Sequence, residues 1–508
     1  MHSPSPSPKI VGAGLVLFLG LAPASRARAD GGYFAGSKGA HAAGRAGAAT
    51  VATDDIMAAA INPAGLTRRR GILIQGGNRF SHHASSYERQ PTLDWGNTED
   101  GIPPYVEFSE VHNGAPWQLL DPLLGVAANL GRVTPAASDF TAALTVFAPP
   151  GVSKLEFPIE QGQRYMMVSR EAQIITTAGT FAWQLSDAFS LGVSLHWLYL
   201  EKLDYELVID ARTMQGANPV TSSTDVLSRV SGSDPFTFNA VIGAWYRAAS
   251  FLEVGLAGQV IPTSFRTKST LAIEGVSPEF GDISLTRNGE PARDVSVELP
   301  LPLSARAGVR YLHPRAGSNA PEPGAGRPLF DVELDVVYET WSRVERFAMD
   351  TRGLSASWRG QSIDIEHIDI EKHWQNTWGV HLGGDFHVVP ETLSVRGGVY
   401  YESAVAERAY NHVDFAGGRQ FGGALGASVY LGPLEVVVAY EQRRQPRVTI
   451  HEPDARVYQE VPQNPCVAPY DSDRFCHPEY LGQPAPAVNA GSTRAVSHMV
   501  SLEALYEF

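Results

Sequence analysis

Apolar and polar residues alternate along the end of the chain. From Val500 to Phe508 the even-numbered positions are apolar, whereas the odd-numbered positions include Ser501, Glu503 and Glu507. Successive side chains of a β-strand point to opposite faces of its sheet, so a period of two indicates a strand. This strand is expected to have water on one face and an apolar medium, such as lipid, on the other.

The same alternation recurs after residue 70 and predicts fourteen strands. They cover residues 71–80, 122–131, 139–148, 171–185, 188–207, 235–248, 250–266, 294–312, 329–345, 376–389, 392–403, 419–431, 434–446 and 494–508. Connections after odd-numbered strands are mostly long, and those after even-numbered strands are mostly tight. Long loops at one end and short turns at the other are typical of a membrane barrel. We therefore predict an all-β fold, a 14-stranded antiparallel transmembrane β-barrel over residues 71–508.

The alternation also assigns a face to each side chain. In 294–312 it places Val295, Val297, Leu299 and Leu301 against lipid and Glu298 in the lumen. A charge facing lipid costs up to about 2 to 4 kcal/mol at the midplane, so charged side chains are expected to face inward. The further residues assigned to the lumen are Arg306, Arg310, Asp331, Glu333, Asp335, Glu339, His381, Asp385, His387, Arg396, Glu402, Glu435 and Glu441.

The N-terminus predicts export. Lys9 precedes an apolar run over residues 10–22, and Ala27, Arg28 and Ala29 then place small residues where a signal peptidase reads them. This run is too short to cross about 30 Å of hydrocarbon as a helix, which argues against a membrane anchor. We predict that residues 1–29 are a signal peptide and that the mature chain begins near Asp30.

Charge and cysteine content narrow the possible partners. The net charge of −14 argues against nucleic acid, because phosphate binding needs basic clusters. Cys466 and Cys476 lie in the long loop 447–493, and in an exported protein they predict one local disulfide. A metal site at His477 would need more ligands than this stretch supplies.

Residues 30–70 do not alternate and are rich in glycine and alanine. A short helix over residues 56–61 is predicted, with Thr53 as its cap and with Asp54 and Asp55 at the positive end of its dipole. The residues that end this helix disfavour its continuation, because proline restricts the residue before it and glycine permits a reversed turn. They are Asn62, Pro63, Ala64 and Gly65.

Together these features resemble the FadL-like long-chain fatty-acid and hydrocarbon transporters of outer membranes. The resemblance is carried by the glycine-rich start, by residues 59–66, which read AAINPAGL, and by the fourteen strands. Further similar stretches are 146–151 (VFAPPG), 338–342 (YETWS), 373–378 (HWQNTW) and 393–401 (LSVRGGVYY). The terminal Phe508 is similar to the sorting signal of bacterial outer-membrane barrels, which implies contact with the barrel-assembly machinery.

The resemblance implies passive uptake of hydrophobic compounds across the outer membrane of a Gram-negative-type bacterium. Residues 30–70 would form an N-terminal plug, or hatch, containing short helices. Substrate would leave sideways through a kinked third strand, but no glycine or proline interrupts residues 140–147 of this chain. Two other functions stay open: a scaffold in a secretion or surface-assembly system, and a small-solute channel.

Binding of a hydrophobic compound requires apolar surface rather than acid–base chemistry. The substrate-binding candidates in the hatch and the first outer loop are Phe34, Ile56, Met57, Ile61, Trp117, Leu119 and Leu120. Alternatively, the hatch residues only seal the wall, and the loop residues only hold their loop together. No nucleophile-elbow or HExxH motif is present, so no enzymatic activity, metal or cofactor is expected. The expected partners are hydrophobic small molecules and outer-membrane lipid.

Overall fold

The computed structural model describes residues 33, 36–93, 105–149, 151, 154–210, 220, 225–276, 283–315, 328–358, 361–458 and 487–508. The predicted signal peptide, Phe34 and both cysteines lie outside these residues. In the part of the chain that is described, no helix is long and apolar enough to cross a membrane.

Fourteen antiparallel strands form the barrel within the described residues. They are β1 (Ile72–Arg89), β2 (Pro122–Asn129), β3 (Phe140–Phe147), β4 (Ser169–Ser186), β5 (Phe189–Asp210), β6 (Asp225–Ala249), β7 (Leu252–Gln259), β8 (Ser304–His313), β9 (Phe330–Glu339), β10 (Thr377–Val389), β11 (Leu393–Glu402), β12 (Gln420–Leu431), β13 (Leu434–Ile450) and β14 (Gly491–Glu507). Each strand pairs with the next, and β1 also pairs with β14, from Leu73 opposite Glu507 to Arg89 opposite Gly491. The predicted 14-stranded β-barrel is confirmed.

Further strands lie beyond the loop end of the barrel; most of them extend its sheet, and Thr92–Leu93 with Tyr105–Val106 forms a separate two-stranded sheet. These rim strands are Thr92–Leu93, Tyr105–Val106, Val111–His112, Trp117–Gln118, Lys154–Glu156, Ser264–Arg266, Lys268–Gly275, Ser284–Arg287, Glu290–Pro291, Asp294–Pro300, Arg346–Trp358 and Gln361–Glu371. The predicted strands 250–266 and 329–345 therefore extend beyond the barrel strands that they describe, because β7 ends at Gln259 and β9 ends at Glu339.

The prediction of one strand over residues 294–312 is wrong. Asp294–Pro300 belongs to the rim, and β8 begins only at Ser304. Pro300 and Pro302 have no N–H group to donate to a neighbouring strand, so the ladder breaks between them.

The break also reverses the predicted faces on its rim side. Val295, Val297 and Leu301 are buried rather than exposed to lipid, and Leu299 lines an internal cavity. Glu298 is exposed and pairs with Arg266 rather than facing the lumen. By contrast, the faces predicted for the barrel strand β9 are confirmed. Its outward side chains, such as Val332 and Leu334, are exposed, whereas Asp331, Glu333 and Asp335 are buried inside.

The N-terminal segment, residues 36–70, packs against the inner face of the barrel. It contains α1 (Ala40–Gly44) and two 3₁₀ helices, Ile56–Ala59 and Pro63–Arg68. The cap of the first 3₁₀ helix is Asp55 rather than Thr53, because Asp55 accepts a hydrogen bond from Met57 N at 2.8 Å. Thr53 Oγ1 instead donates to Ala49 O. Elsewhere in the described residues, 3₁₀ helices cover Leu130–Arg132, Pro135–Ala137, Trp341–Arg343, Arg408–Tyr410 and Glu452–Asp454.

Candidate functional site

An apolar cavity of about 550 Å³, here called the outer cavity, lies at the loop end of the barrel. Its volume falls within the range of small-molecule sites, about 300–1,000 Å³. Side chains from β4, β5, β6, six rim strands and the β11–β12 loop converge on it. The apolar residues among them include Ile174, Leu200, Leu203, Val230, Phe265, Val297, Leu299, Phe347, Met349, Ile368, Ile370 and Phe415. This surface suits a hydrophobic ligand.

Tyr33, at the start of the described chain, lies among aromatic rings at one side of the outer cavity. Its ring centroid is 5.3 Å from that of Trp341 and 5.5 Å from those of Trp374 and Phe415. Phe347 lies 5.8 Å away in a stacked arrangement. Tyr33 is therefore held at the cavity by contacts with residues that are distant in sequence.

The outer cavity has one polar end. Arg170 lines the cavity, and its guanidinium lies 4.3 Å from the ring centroid of Phe415. Next to it, Asp414 accepts hydrogen bonds from Lys372 Nζ at 2.5 Å and from Tyr205 Oη at 3.2 Å. Burial alone would raise the pKa of Asp414, but His412 and Lys372 outweigh it and hold this pKa well below its ordinary value. Asp414 is therefore ionised and orders this end of the cavity.

The barrel wall is incomplete between β3 and β4. Phe147, the last residue of β3, pairs with Thr176, and the next pairing is that of Lys154 with Glu171. Within the described residues, 172–175 of β4 have no strand partner on this side. Because consecutive strand residues face opposite sides and all four line the outer cavity, the cavity borders both faces of the wall. We call this stretch the wall gap.

The predicted loop residues lie at the wall gap. Trp117, Leu119 and Leu120 all line the outer cavity, and their exposed fractions are 65%, 64% and 74%. The predicted hatch residues lie elsewhere. Ile56 and Met57 are buried in the core between the N-terminal segment and the wall.

Ile61 also belongs to that core, and it borders a smaller cavity of about 50 Å³. His196, Leu198 and Arg306 line the same space, and Pro149 lines both this cavity and the outer one. The structure thus brings the three loop residues to the outer cavity and leaves Ile56 and Met57 away from it.

Acidic side chains of β9 hold the N-terminal segment. Asp335 Oδ2 accepts hydrogen bonds from Ala49 N and Thr50 N at 2.9 Å each, and from Thr50 Oγ1 at 2.7 Å. Glu333 accepts from Val51 N at 2.6 Å and from Ala52 N at 3.0 Å. Buried backbone N–H groups need partners, and these two carboxylates supply them.

Carboxylates of β13 and β14 hold the other side of the segment. Glu503 accepts a hydrogen bond from Ala40 N at 2.6 Å. The His41 ring lies between Asp55, at 3.0 Å from Nδ1, and Glu435, at 2.8 Å from Nε2. Acidic residues of three barrel strands therefore fix one short segment in the lumen.

The motif NPAG fixes the turn between the two 3₁₀ helices. Asn62 Oδ1 accepts from Ala64 N at 3.2 Å, while Asn62 Nδ2 donates to Thr50 O at 2.8 Å and to Ala244 O of β6 at 3.1 Å. A Cβ atom on Gly65 would lie only 1.9 Å from Thr53 O, so no larger residue fits without a shift of the backbone.

Three lumen residues, Asp331, Asp385 and His387, lie close enough together to ligate a metal ion. However, arginines of the chain already neutralise this group. Arg45 Nη1 lies 2.8 Å from Asp331, and Arg396 Nε lies 3.2 Å from Asp385. These ion pairs occupy the acidic residues with the protein's own cations.

Sequence reasoning missed the polar end of the outer cavity and its aromatic side. Lys372 and Asp414 lie in separate loops, and their proximity leaves no periodic signal. A detectable signal did exist for Trp341 and Trp374, because both lie in stretches similar to the FadL-like family. Their role beside Tyr33 follows only from the fold.

Comparison with known proteins agrees with this architecture. The family profile described as outer membrane protein transport protein (OMPP1/FadL/TodX) matches residues 21–413. The chain belongs to this family. Its members are outer-membrane transport proteins for hydrophobic compounds, and this FadL/TodX-family chain is accordingly a barrel of the Gram-negative outer membrane. No curated protein sequence gives a match.

Solved structures share the fold at low sequence identity. A Pseudomonas aeruginosa FadL homologue is similar with a TM-score of 0.65 and 16% identity, covering 94% of this chain and 99% of the homologue. For the Pseudomonas putida toluene transporter TodX the TM-score is 0.55 and the identity 12%, and the match covers 94% of this chain and 98% of TodX. For the monoaromatic hydrocarbon channel CymD the TM-score is 0.53 and the identity 12%, and the match covers 92% of this chain and 97% of CymD. These likenesses support the barrel fold of this FadL/TodX-family protein.

Proposed function

We propose that this protein takes up hydrophobic compounds by passive diffusion through the outer cavity, with lateral release at the wall gap. The observation that carries this proposal is the position of the cavity, which borders both faces of the wall at residues 172–175. A ligand in the cavity could reach lipid there without crossing the polar lumen below.

The energetics favour such a route. Burial stabilises an alkyl chain by about 0.8 kcal/mol per CH₂, so a chain of roughly sixteen carbons gains on the order of 10 kcal/mol before association costs. The exposed Trp117, Leu119 and Leu120 extend the apolar surface outward from the cavity. No energy source is needed, because the membrane interior is as favourable for the ligand as the cavity.

The N-terminal segment is proposed as the hatch. Its contacts with Glu333, Asp335, Glu435 and Glu503 support this role, because they fill the lumen below the cavity with buried polar groups. A hydrophobic ligand gains nothing by entering such surroundings. The hatch therefore favours the sideways route over passage straight through the barrel.

A long-chain fatty acid is the proposed substrate, with its carboxylate at Arg170. Arg170 is 4% exposed at the polar end of the outer cavity, and a buried guanidinium binds a carboxylate through paired hydrogen bonds. Hydrocarbons are the second candidate, favoured by the aromatic side of the cavity around Phe347 and Phe415.

Closing the wall gap tests the route. Ala172 lines the cavity at the gap, so Ala172→Trp should fill the opening. We expect uptake of a labelled fatty acid by cells without another uptake route to fall to the background level. Leu185→Trp is the matched control, because Leu185 lies on the same strand at an exposed position away from the gap. Normal uptake by Ala172→Trp, at equal amounts of folded barrel, would contradict lateral release.

A further inference from the structure

Four exposed arginines cluster at the loop end of β12, β13 and β14. This basic patch consists of Arg419, Arg444, Arg447 and Arg494. Arg444 on β13 lies opposite Phe421 of β12 and opposite Val496 of β14. Arg419 and Arg494 each lie two positions beyond those partners, so they share the outward face with Arg444.

The basic patch carries an excess of positive charge. Arg494 and Arg447 both contact Glu110, at 3.2 and 3.6 Å, and Arg447 also contacts Glu88 at 3.0 Å. Arg419 and Arg444 form no ion pair with any residue that the structure describes. Within the part of the chain that is described, this face thus carries two cations without an ion pair, although the net charge of the chain is −14.

Aromatic residues lie beside and below the patch on the outward face. Phe421 and Tyr440 are exposed, and Tyr440 Oη forms a hydrogen bond with His498 Nδ1 at 2.7 Å. Aromatic residues mark the boundary between hydrocarbon and head groups in membrane proteins. From Phe508 to His498, β14 rises roughly 26 Å at a tilt of about 40°, which is close to the about 25 Å height of the apolar band of such barrels. The patch therefore lies at the level of lipid head groups in the outer leaflet.

Several cations elsewhere on the described rim are paired with acidic residues. Lys202 lies 2.9 Å from Glu171, and Arg266 lies 3.5 Å from Glu298. Lys268 and Arg293 of the rim also form no ion pair with a described residue, so what distinguishes the β12–β14 side is that two such arginines share the outward face of adjacent strands.

We propose that the basic patch binds the phosphate groups of an anionic lipid in the outer leaflet. Arginine side chains match phosphate oxygens with paired hydrogen bonds, and basic residues near a membrane surface attract anionic lipids. The acyl chains of the same lipid would pack on the apolar belt below Phe421 and Tyr440. This continuity with the lipid-facing belt favours a lipid over a free phosphate ion.

The test uses the full barrel in uncharged detergent. Native mass spectrometry measures binding of diphosphoryl lipid A and of the same lipid without its phosphates. We expect the phosphorylated lipid to bind at least roughly tenfold more tightly, and Arg419→Gln/Arg444→Gln to remove most of this difference. Lys202→Gln/Arg266→Gln is the matched control, because it changes the net charge equally but removes paired cations. Arg419→Lys/Arg444→Lys should retain part of the preference.

Three results would overturn the proposal. One is equal binding of the two lipids by the unchanged protein. Another is the same loss of binding in the control and in the Arg419/Arg444 variant when both barrels are folded, as judged by heat-dependent electrophoretic mobility. The third is full competition by inorganic phosphate, which would assign the patch to a free ion.

Discussion

Single carboxylates decide how firmly the N-terminal segment is held. Asp335 is fully buried, and one of its oxygens accepts three hydrogen bonds from Ala49 and Thr50. Hydrogen bonds to a charged group are each worth about 1.5 to 3 kcal/mol, and unpaired buried donors add a further cost. The sequence placed Asp335 in the lumen correctly, but its partners lie 285 and 286 residues away and leave no local signal.

Asp335→Ala is expected to loosen the segment without unfolding the barrel. The free energy of local opening should fall by about 3 kcal/mol, because two backbone N–H groups and one hydroxyl lose their acceptor. Hydrogen exchange of residues 49–53 measures this change. Glu298→Ala is the control, since Glu298 is exposed on the rim. Unchanged protection of residues 49–53 would show that the β9 carboxylates do not anchor the segment.

His412 makes the stability of the β11–β12 loop, which lies beside the outer cavity, depend on pH. Burial lowers the pKa of His412 below its ordinary value of 6.5, and Lys372 lowers it further, whereas Asp414 opposes the shift. When the pKa of a histidine is lower in the folded state, the unfolded chain takes up the proton first as the pH falls. The fold is therefore most stable at pH values above the pKa that the histidine has in the unfolded chain. The β11–β12 loop should therefore lose stability as the pH falls below about 6.5.

Hydrogen exchange of residues 403–419, corrected for intrinsic rates, tests this expectation. Protection should be lower at pH 5.5 than at pH 7.5 in the unchanged protein. In His412→Gln the difference should disappear, because glutamine cannot gain a proton. An equal pH effect in both proteins would assign the sensitivity to another group.

At the scale of elements, periodicity predicted the barrel strands well, because each barrel strand has lipid on one face and the lumen on the other. It failed where a segment leaves the barrel. Asp294–Pro300 alternates like a membrane strand, yet it lies on the rim, and its Val297 and Leu299 side chains line the outer cavity. Only Pro300 and Pro302 mark the break, and a proline is also tolerated at the end of a strand. The wall gap likewise arises from the end of β3 at Phe147 rather than from a kink inside it.

Removal of the N-terminal segment tests its role as an element. A chain lacking residues 36–65 should still assemble, because the fourteen strands pair through backbone hydrogen bonds independent of the segment. The selectivity for hydrophobic compounds should be lost, because the lumen would open to water and its acidic residues would be hydrated. Liposome swelling by small sugars should rise above that of the complete protein. Unchanged selective uptake after this deletion would remove the segment from the mechanism.

At the scale of the whole molecule, the barrel divides its interior between two chemistries. Buried ion pairs and hydrogen bonds fill the lumen around the N-terminal segment, and apolar side chains surround the outer cavity. The sequence indicated separately that the lumen is lined by charged residues and that the first outer loop carries apolar ones. Their arrangement depends on contacts such as that of Tyr33 with Trp341, which join residues far apart in the chain.

The most direct test of the central claim is photo-cross-linking with a fatty acid that carries a diazirine on its alkyl chain. After illumination of the intact protein in lipid vesicles, mass spectrometry identifies the labelled peptides. We expect labels at residues 172–175 of β4, at Phe347 and Met349 in the outer cavity, and at Leu119 and Leu120 beside the wall gap. Unlabelled fatty acid should compete for these sites. Labels restricted to the lipid-facing belt of β9 to β12, with none in the outer cavity, would contradict the account.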